Sequence, residues 1–322
     1  MTLPAVPLEP IAPGGPALSR IVAGVWRMAQ WGMGPVERLR WIEAALDLGI
    51  SSFDHADIYG DHQCEALFGE ALAQAPGLRA RLQLVSKCGI RLVSAQRPGN
   101  RLKHYDTSAA HVRASVERSL QNLRTDHLDL LLVHRPDALM DPDELAEAFL
   151  ALRAEGKVLH FGVSNHTPSQ FALLHRRVPL VTNQVELSPL QLSALHDGTL
   201  DQALDLGTRP MAWSPLAGGR LFAQPGGGAG LLARLSGRGA EAEADARLVR
   251  VQTVLARLAA ERGVSVATLA YAWVLRHPSR PLPITGSGRT EALQEAVKAL
   301  DVPLDRQDWY EVWQAAMGHE VP

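Results

Sequence analysis

Apolar and polar positions alternate along this chain in two regimes. Short runs rich in Val, Ile and Leu stand at Ile21–Val25, Ile50–Asp54, Leu82–Lys87, Leu128–His134, Val158–Ser164, Val178–Gln184, Arg209–Ser214 and Leu282–Thr285. Each is apolar nearly throughout, the pattern of a parallel strand covered on both faces. Longer amphipathic stretches lie between them. Val36–Leu48 places Leu39, Ile42 and Leu46 near one face, and Ala109–Leu123 places Val112, Val116, Leu120 and Leu123 at helical spacing. Pro142–Ala154, Pro168–Arg176, Leu190–Leu206 and Arg289–Leu300 read the same way, with Thr107, Asp141 and Thr167 as N-caps.

Eight strand–helix units in one chain predict an α/β fold of the (β/α)8 TIM-barrel type. A doubly wound sheet would want a G-x-G-x-x-G turn after an early strand, and none is there. Three features depart from simple alternation. Residues 1–16, dotted with Pro and Gly, read as a mobile N-terminal arm before a single barrel spanning 17–322. A long Gly/Ala-rich stretch, Leu216–Ala244, follows the seventh run and reads as a cofactor-side loop or lid carrying Arg220, Arg234 and Arg238. After two helical segments, Leu248–Arg262 and Ser265–Arg276, and the eighth unit, a C-terminal helix at Arg306–Met317 is expected to cap the barrel.

Composition narrows the function. Among 322 residues, 46% are hydrophobic and 20% charged, and 32 Lys+Arg against 34 Asp+Glu leave a net charge of -2. That balance argues against a nucleic-acid or membrane-surface protein. Two cysteines exclude a disulfide scaffold and suit a reducing compartment, so a cytoplasmic enzyme with no obligate protein partner is expected.

In a barrel, chemistry sits at the carboxyl ends of the strands. Those ends carry Asp54, Tyr59, Lys87 and His134 on units two to four. Each alone has a bland reading as a cap, a packing ring or a solvated end. Together they suit proton transfer to a carbonyl oxygen: a phenol whose pKa a nearby ammonium should lower, an aspartate holding that ammonium, and an imidazole placing the carbonyl. Asp54, His55, Asp57, His62 and His134 could be imagined as metal ligands. The later strands instead end in Ser164, Gln184 and Ser214, so no metal is expected. Ser164, Asn165 and Gln184 match a carboxamide. Trp213 suits either stacking on a flat heterocycle or the barrel core. Ser214, Leu216, Gly218 and Arg220 could meet a pyrophosphate, and Gly286-Ser-Gly288-Arg289 before a helix makes an anion site or a plain turn.

In order and spacing, Asp54-His-Ala-Asp-Ile-Tyr59-Gly, Ser86-Lys87, His134-Arg-Pro-Asp, Gly162-Val-Ser-Asn165, Asn183-Gln184 and Trp213-Ser-Pro215-Leu216 together resemble the aldo-keto reductase superfamily over nearly the whole length. The wording around Tyr59 and His134 is similar to a bacterial branch, the YdhF-type oxidoreductases. The resemblance implies NADPH-dependent reduction of an aldehyde or ketone. Tyr59 would be the general acid, tuned by Lys87 and Asp54, with His134 placing the substrate. It further implies that Ser164, Asn165 and Gln184 hold the carboxamide, that Trp213 stacks on the nicotinamide, and that Gly24, Val25 and Trp26 lie near cofactor and substrate. Trp26, Trp31 and Tyr59 would shape the substrate pocket for an apolar or aromatic carbonyl. The chain departs from the family at His166, where Phe is usual, and at Ala292 and Ala296, where polar cofactor contacts are common, while Glu295 remains and Arg289 stands nearby. Some relatives in the superfamily are regulatory subunits with little turnover, which keeps a nicotinamide-binding subunit as the alternative.

Overall fold

A computed structural model describes residues 3–224 and 238–321 of the chain. The eight apolar runs form strands β1 (Val22–Gly24), β2 (Ser52–Asp54), β3 (Gln83–Cys88), β4 (Leu128–Val133), β5 (Val158–Ser164), β6 (Leu180–Glu186), β7 (Met211–Trp213) and β8 (Leu282–Thr285). They pair in parallel in chain order, and β8 returns to β1 to close the barrel. The helices are α1 (Pro35–Asp47), α2 (Cys64–Leu72), α3 (Ala109–Leu123), α4 (Pro142–Ala154), α5 (Pro168–His175), α6 (Thr199–Leu206), α7 (Arg238–Arg262), α8 (Val266–Leu275), α9 (Thr290–Lys298) and α10 (Arg306–Met317).

The two-residue period of a strand decides what fills the barrel. Val85 on β3, Leu130 and Leu132 on β4, Met211 on β7 and Leu282 and Ile284 on β8 form the interior cluster. One step further along the same faces come Lys87, His134 and Trp213. The carboxyl end of the barrel is therefore polar because the strands run one inward position past their apolar layer.

The amino end is closed by residues expected to be mobile. Leu8–Pro10 pairs antiparallel with Ala17–Ser19, and Ile11 and Leu18 enter the interior cluster fully buried. Glu9, in the first strand of this hairpin, pairs with Arg20, Arg209 and Arg280. The Pro and Gly residues read as an arm instead shape a turn, and apolar burial with one carboxylate shared by three guanidiniums fixes it. The C-terminal helix does not cap the barrel. It lies on the outer wall, where Trp309 of α10 stacks on Trp273 of α8 at 5.0 Å. Each indole N–H donates to the other residue's carbonyl at 3.0 Å.

Local differences have local causes. Helix α2 was not visible in the pattern because Glu65 and Gly69 interrupt its buried face. Gly69 is required there, since a Cβ would overlap the Asn122 carbonyl oxygen of α3. Leu190–Leu206 is not one helix. A short turn at Ser193–Leu195 ends before Gly198, whose φ of 82° breaks the run, and Asp197 accepts from the Thr199 N–H at 2.9 Å to start α6. Ser108 rather than Thr107 caps α3, because the Thr107 hydroxyl donates to Asp137 at 2.9 Å. Asp141 and Thr167 cap as the sequence predicts. Of the expected lid, 217–222 form a short 3-10 turn and α7 already begins at 238. Residues 225–237, with Arg234, lie outside the described residues. No described helix is long and apolar enough to cross a membrane.

Candidate active site

At the carboxyl end of the barrel lies a cleft of about 1070 Å³. Its floor is a buried chain of charge-assisted hydrogen bonds. Lys87 Nζ donates to Asp54 Oδ2 at 2.7 Å, to the His55 carbonyl at 2.7 Å and to the Tyr59 hydroxyl at 3.0 Å. Lys87 is 1% exposed and Asp54 3%, so both charges are almost wholly buried and each depends on the other. The register that pairs Asp54 with Val85 leaves Lys87 two residues further along β3, beyond the end of β2 and above its carboxylate.

Tyr59 reaches this pair from the loop after β2. The chain turns sharply behind it, with Gly60, Asp61 and His62 in the left-handed region at φ 59°, 53° and 67°. A Cβ on Gly60 would stand 2.6 Å from Cys64 Sγ and 2.8 Å from Ala29 Cβ, so glycine is required to let α2 begin at once. The His134 ring meets the Tyr59 ring edge to face at 5.8 Å, and its Nδ1 has no protein partner.

The electrostatics differ in one respect from expectation. Burial pushes the Tyr59 phenol above its ordinary range; Lys87 opposes this, while the Asp54 charge adds to it. The expected lowering by Lys87 alone does not win, and the phenol holds its proton at neutral pH. Burial works against the Lys87 charge, but Asp54 and then Tyr59 outweigh it and raise the ammonium above its usual range. His134 is held well below the usual imidazole range by burial and then by Lys87, Arg135 and Lys103, so it is neutral. The floor thus offers a protonated phenol and a neutral imidazole to the cleft, with a fixed ammonium behind the phenol.

Most residues singled out in the sequence line the cleft: Gly24, Trp26, Trp31, Asp54, Tyr59, His134, Ser164, Gln184, Trp213, Ser214, Pro215, Leu216, Gly218, Gly286, Gly288, Arg289 and Glu295. Others stand off the lining or already have protein partners. Val25 is fully buried in the core, and Arg220 is not part of the lining. Asn165 sits behind Trp213, accepting from its indole N–H at 3.1 Å and donating to Ser164 Oγ at 2.7 Å. Gln184 donates to Asp54 Oδ1 at 2.8 Å, satisfying the second carboxylate oxygen. His166 is structural: its Nδ1 lies 3.0 Å from the Ser164 carbonyl, and its backbone exchanges two hydrogen bonds with the Asn183 amide.

Several lining residues escaped sequence reasoning, among them Arg27, Lys103, Arg135, Ser265 and Tyr271. Arg135 stands directly after His134, with its guanidinium 5.6 Å from the Trp213 ring centre. Adjacency to His134 was its available signal. Lys103 arrives on the loop between β3 and α3, and nothing in its spacing marks it. With Arg27, Lys103, Arg135 and Arg289 outnumbering Glu295 on the wall and Asp54 already paired with Lys87, the cleft favours an anionic occupant.

The aldo/keto reductase family profile matches residues 20–316. The chain belongs to the aldo/keto reductase family. It is 50% identical over 315 residues to the oxidoreductase YdhF of Escherichia coli, covering 97% of this chain and 98% of the relative. It is 42% identical over 307 residues to a 6-dehydroglucose reductase of Agrobacterium fabrum, covering 94% and 96%. Among solved structures, the glycerol dehydrogenase of Gluconobacter oxydans superposes with a TM-score of 0.83 at 26% identity, covering 99% of this chain and 97% of that one. The protein is an NAD(P)H-dependent oxidoreductase, and carbonyl reduction is the general reaction of its family.

Proposed function

We propose that this reductase uses NADPH to convert a hydroxyl-bearing aldehyde to an alcohol, with Tyr59 as the proton donor. The observation that carries the reading is the continuous contact Asp54–Lys87–Tyr59 on the cleft floor, with neutral His134 beside the phenol.

The cleft suits a dinucleotide. It runs from the tetrad past Trp213 to Arg289, Ser265 and Glu295 at the start of α8 and along α9. Ser164 and Trp213 would hold the nicotinamide end. Ser214, Leu216 and Gly218 would face the pyrophosphate, and Arg289, which is exposed at the N-terminus of α9, would meet the 2′-phosphate. Gln184 would act through Asp54 rather than on the carboxamide. The chemistry that a reduced nicotinamide would bring to this site is hydride donation to a carbonyl carbon.

The chain's own residues do the rest. His134 orients the carbonyl oxygen toward Tyr59. As negative charge builds on that oxygen, the Tyr59 O–H bond breaks and its proton forms the alcohol. The phenolate left behind is stabilised by Lys87 at 3.0 Å and regains a proton from solvent. Asp54 and Gln184 hold Lys87 in place. Arg27, Lys103 and Arg135 give the substrate end hydrogen-bond donors, which suits a hydroxylated carbonyl better than the apolar one the tryptophans suggested. The relative from Agrobacterium named for 6-dehydroglucose is consistent with that class.

Spectrophotometric oxidation of NADPH and NADH with a panel of hydroxyaldehydes and aromatic aldehydes tests the proposal. Faster turnover of NADPH with hydroxyaldehydes supports it. Tight cofactor binding without turnover of any carbonyl would favour a regulatory nicotinamide-binding subunit instead.

A further inference from the structure

A second cavity, of about 370 Å³, opens between α3 and the segment after β3. Ile90 forms a wall common to it and the cleft, but its polar lining is separate. Three arginines reach it: Arg91, Arg97 and Arg118. Arg91 is fully engaged, donating to Asp106 and to Asn100 at 3.1 Å each and lying 3.2 Å from His111 Nδ1. Arg97 and Arg118 are placed differently. Arg97 donates to the Gln96 carbonyl at 2.8 Å and Arg118 to Ser115 Oγ at 3.0 Å, and neither forms an ion pair among the described residues.

The inner end of the cavity holds Asp57, which is 8% exposed and has an Oδ1 with no partner. Glu65 lies nearby, held by Ser86 at 2.7 Å. Burial and then the Glu65 charge push the Asp57 carboxyl up to about 8, so at neutral pH it mostly carries a proton and can donate. His111 is held at about 4 and His62 below its usual range, in both cases first by burial, so both are neutral. Two guanidiniums therefore face a cavity whose other ionisable lining is neutral or already paired. Burial and then Arg97 work against the Arg118 charge, with Asp57 and Glu65 offsetting part of this. A bound anion would remove that conflict.

We propose that this cavity binds a small multivalent anion, a phosphate ester or a di- or tricarboxylate, through Arg97 and Arg118 with Asp57 at its inner end. The volume exceeds that of an inorganic ion, and Ile90, Leu92 and Ala114 provide an apolar wall for the carbon part of such a ligand. The site lies behind the Tyr59 loop, because the Asp57 N–H donates to the Lys87 carbonyl at 3.0 Å.

Isothermal titration of the full chain with inorganic phosphate, and separately with citrate, at fixed ionic strength tests this. The arms distinguish the phosphate and carboxylate forms of the same chemistry. Arg289→Ala serves as the control that removes the exposed cation at the far end of the reducing cleft. Saturable binding of at least one anion is expected in the parent and in Arg289→Ala. Arg97→Gln should weaken it by at least about tenfold, the loss of one charge-assisted contact, and Arg97→Gln/Arg118→Gln should abolish it. Should the double variant fail to fold, Arg97→Gln decides alone, since among the described residues that side chain hydrogen-bonds only to a loop carbonyl. No saturable binding of either anion in the parent would overturn the proposal. So would undiminished binding in Arg97→Gln, or binding lost in Arg289→Ala.

Discussion

Replacing Lys87 with Met removes the centre of the buried network and separates its structural from its chemical role. In the parent, the ammonium stands 2.7 Å from Asp54 Oδ2 and 3.0 Å from the Tyr59 oxygen. Met fills similar volume without charge, leaving Asp54 buried with only the Gln184 amide at 2.8 Å. Breaking a buried pair from one side costs about 3–5 kcal/mol of stability. Losing the group that stabilises the phenolate should also cost at least about a hundredfold in turnover. Both losses appear in the single variant, so activity alone does not decide between them. The double variant Lys87→Met/Asp54→Asn does. It removes the orphaned carboxylate, so most of the stability should return, while the phenol still lacks its ammonium and turnover stays low. Thermal melting and NADPH oxidation on the same samples would read both quantities. A double variant that regains turnover to within about threefold of the parent, a change too small for loss of transition-state stabilisation, would refute the role given to Lys87.

Further outcomes follow from other parts of the molecule. Arg289→Ala should weaken NADPH more than NADH, by roughly the 1.5–3 kcal/mol of a charge-assisted contact; equal loss for both cofactors would remove Arg289 from the 2′-phosphate. Asp57→Asn should change the pH profile of stability. The folded carboxyl holds its proton up to about 8 against an ordinary value of 3.8, so the unfolded chain has fewer protons between these limits. Stability should therefore fall as pH rises through that window, by up to about 1.4 kcal/mol per pH unit, and the Asn variant should lack this component. Parallel melting curves for parent and variant between pH 5 and pH 8, on the order of that window, would contradict it. Gly69→Ala should destabilise the α2–α3 contact by about 1–3 kcal/mol or more, measured by denaturant unfolding, because the added methyl meets the Asn122 backbone rather than a side chain that can move.

The sequence carried the barrel because eight buried strands are apolar on both faces, and carried the catalytic four because Asp54, Lys87 and His134 stand at or just past the ends of such runs and Tyr59 follows in the loop after one of them. Less legible were features that depend on shape. Ile11 and Leu18 look unremarkable in a Pro- and Gly-rich stretch, and only the open end of a closed barrel gives them a place to be buried. Helix α2 was hidden because its inner face includes a buried glutamate and a glycine, both required by neighbours distant in sequence. Arg220 follows the strand-seven motif closely, yet the tight turn at 217–222, with Gly218 and Gly219 at φ 66° and 97°, carries it out of the cleft lining. Gln184 has the chemistry of a carboxamide partner, and its additional contact with Asp54, 130 residues away in sequence, could not be read from spacing.

Single-turnover reduction by Tyr59→Phe, with NADPH affinity measured on the same preparation, tests the central claim most directly. The ring still packs against His134 and beneath Lys87, so cofactor affinity should stay within about threefold while the reduction rate falls by at least about a hundredfold. A reduction rate within about threefold of the parent would show that the proton comes from elsewhere, and the account of this site would fail.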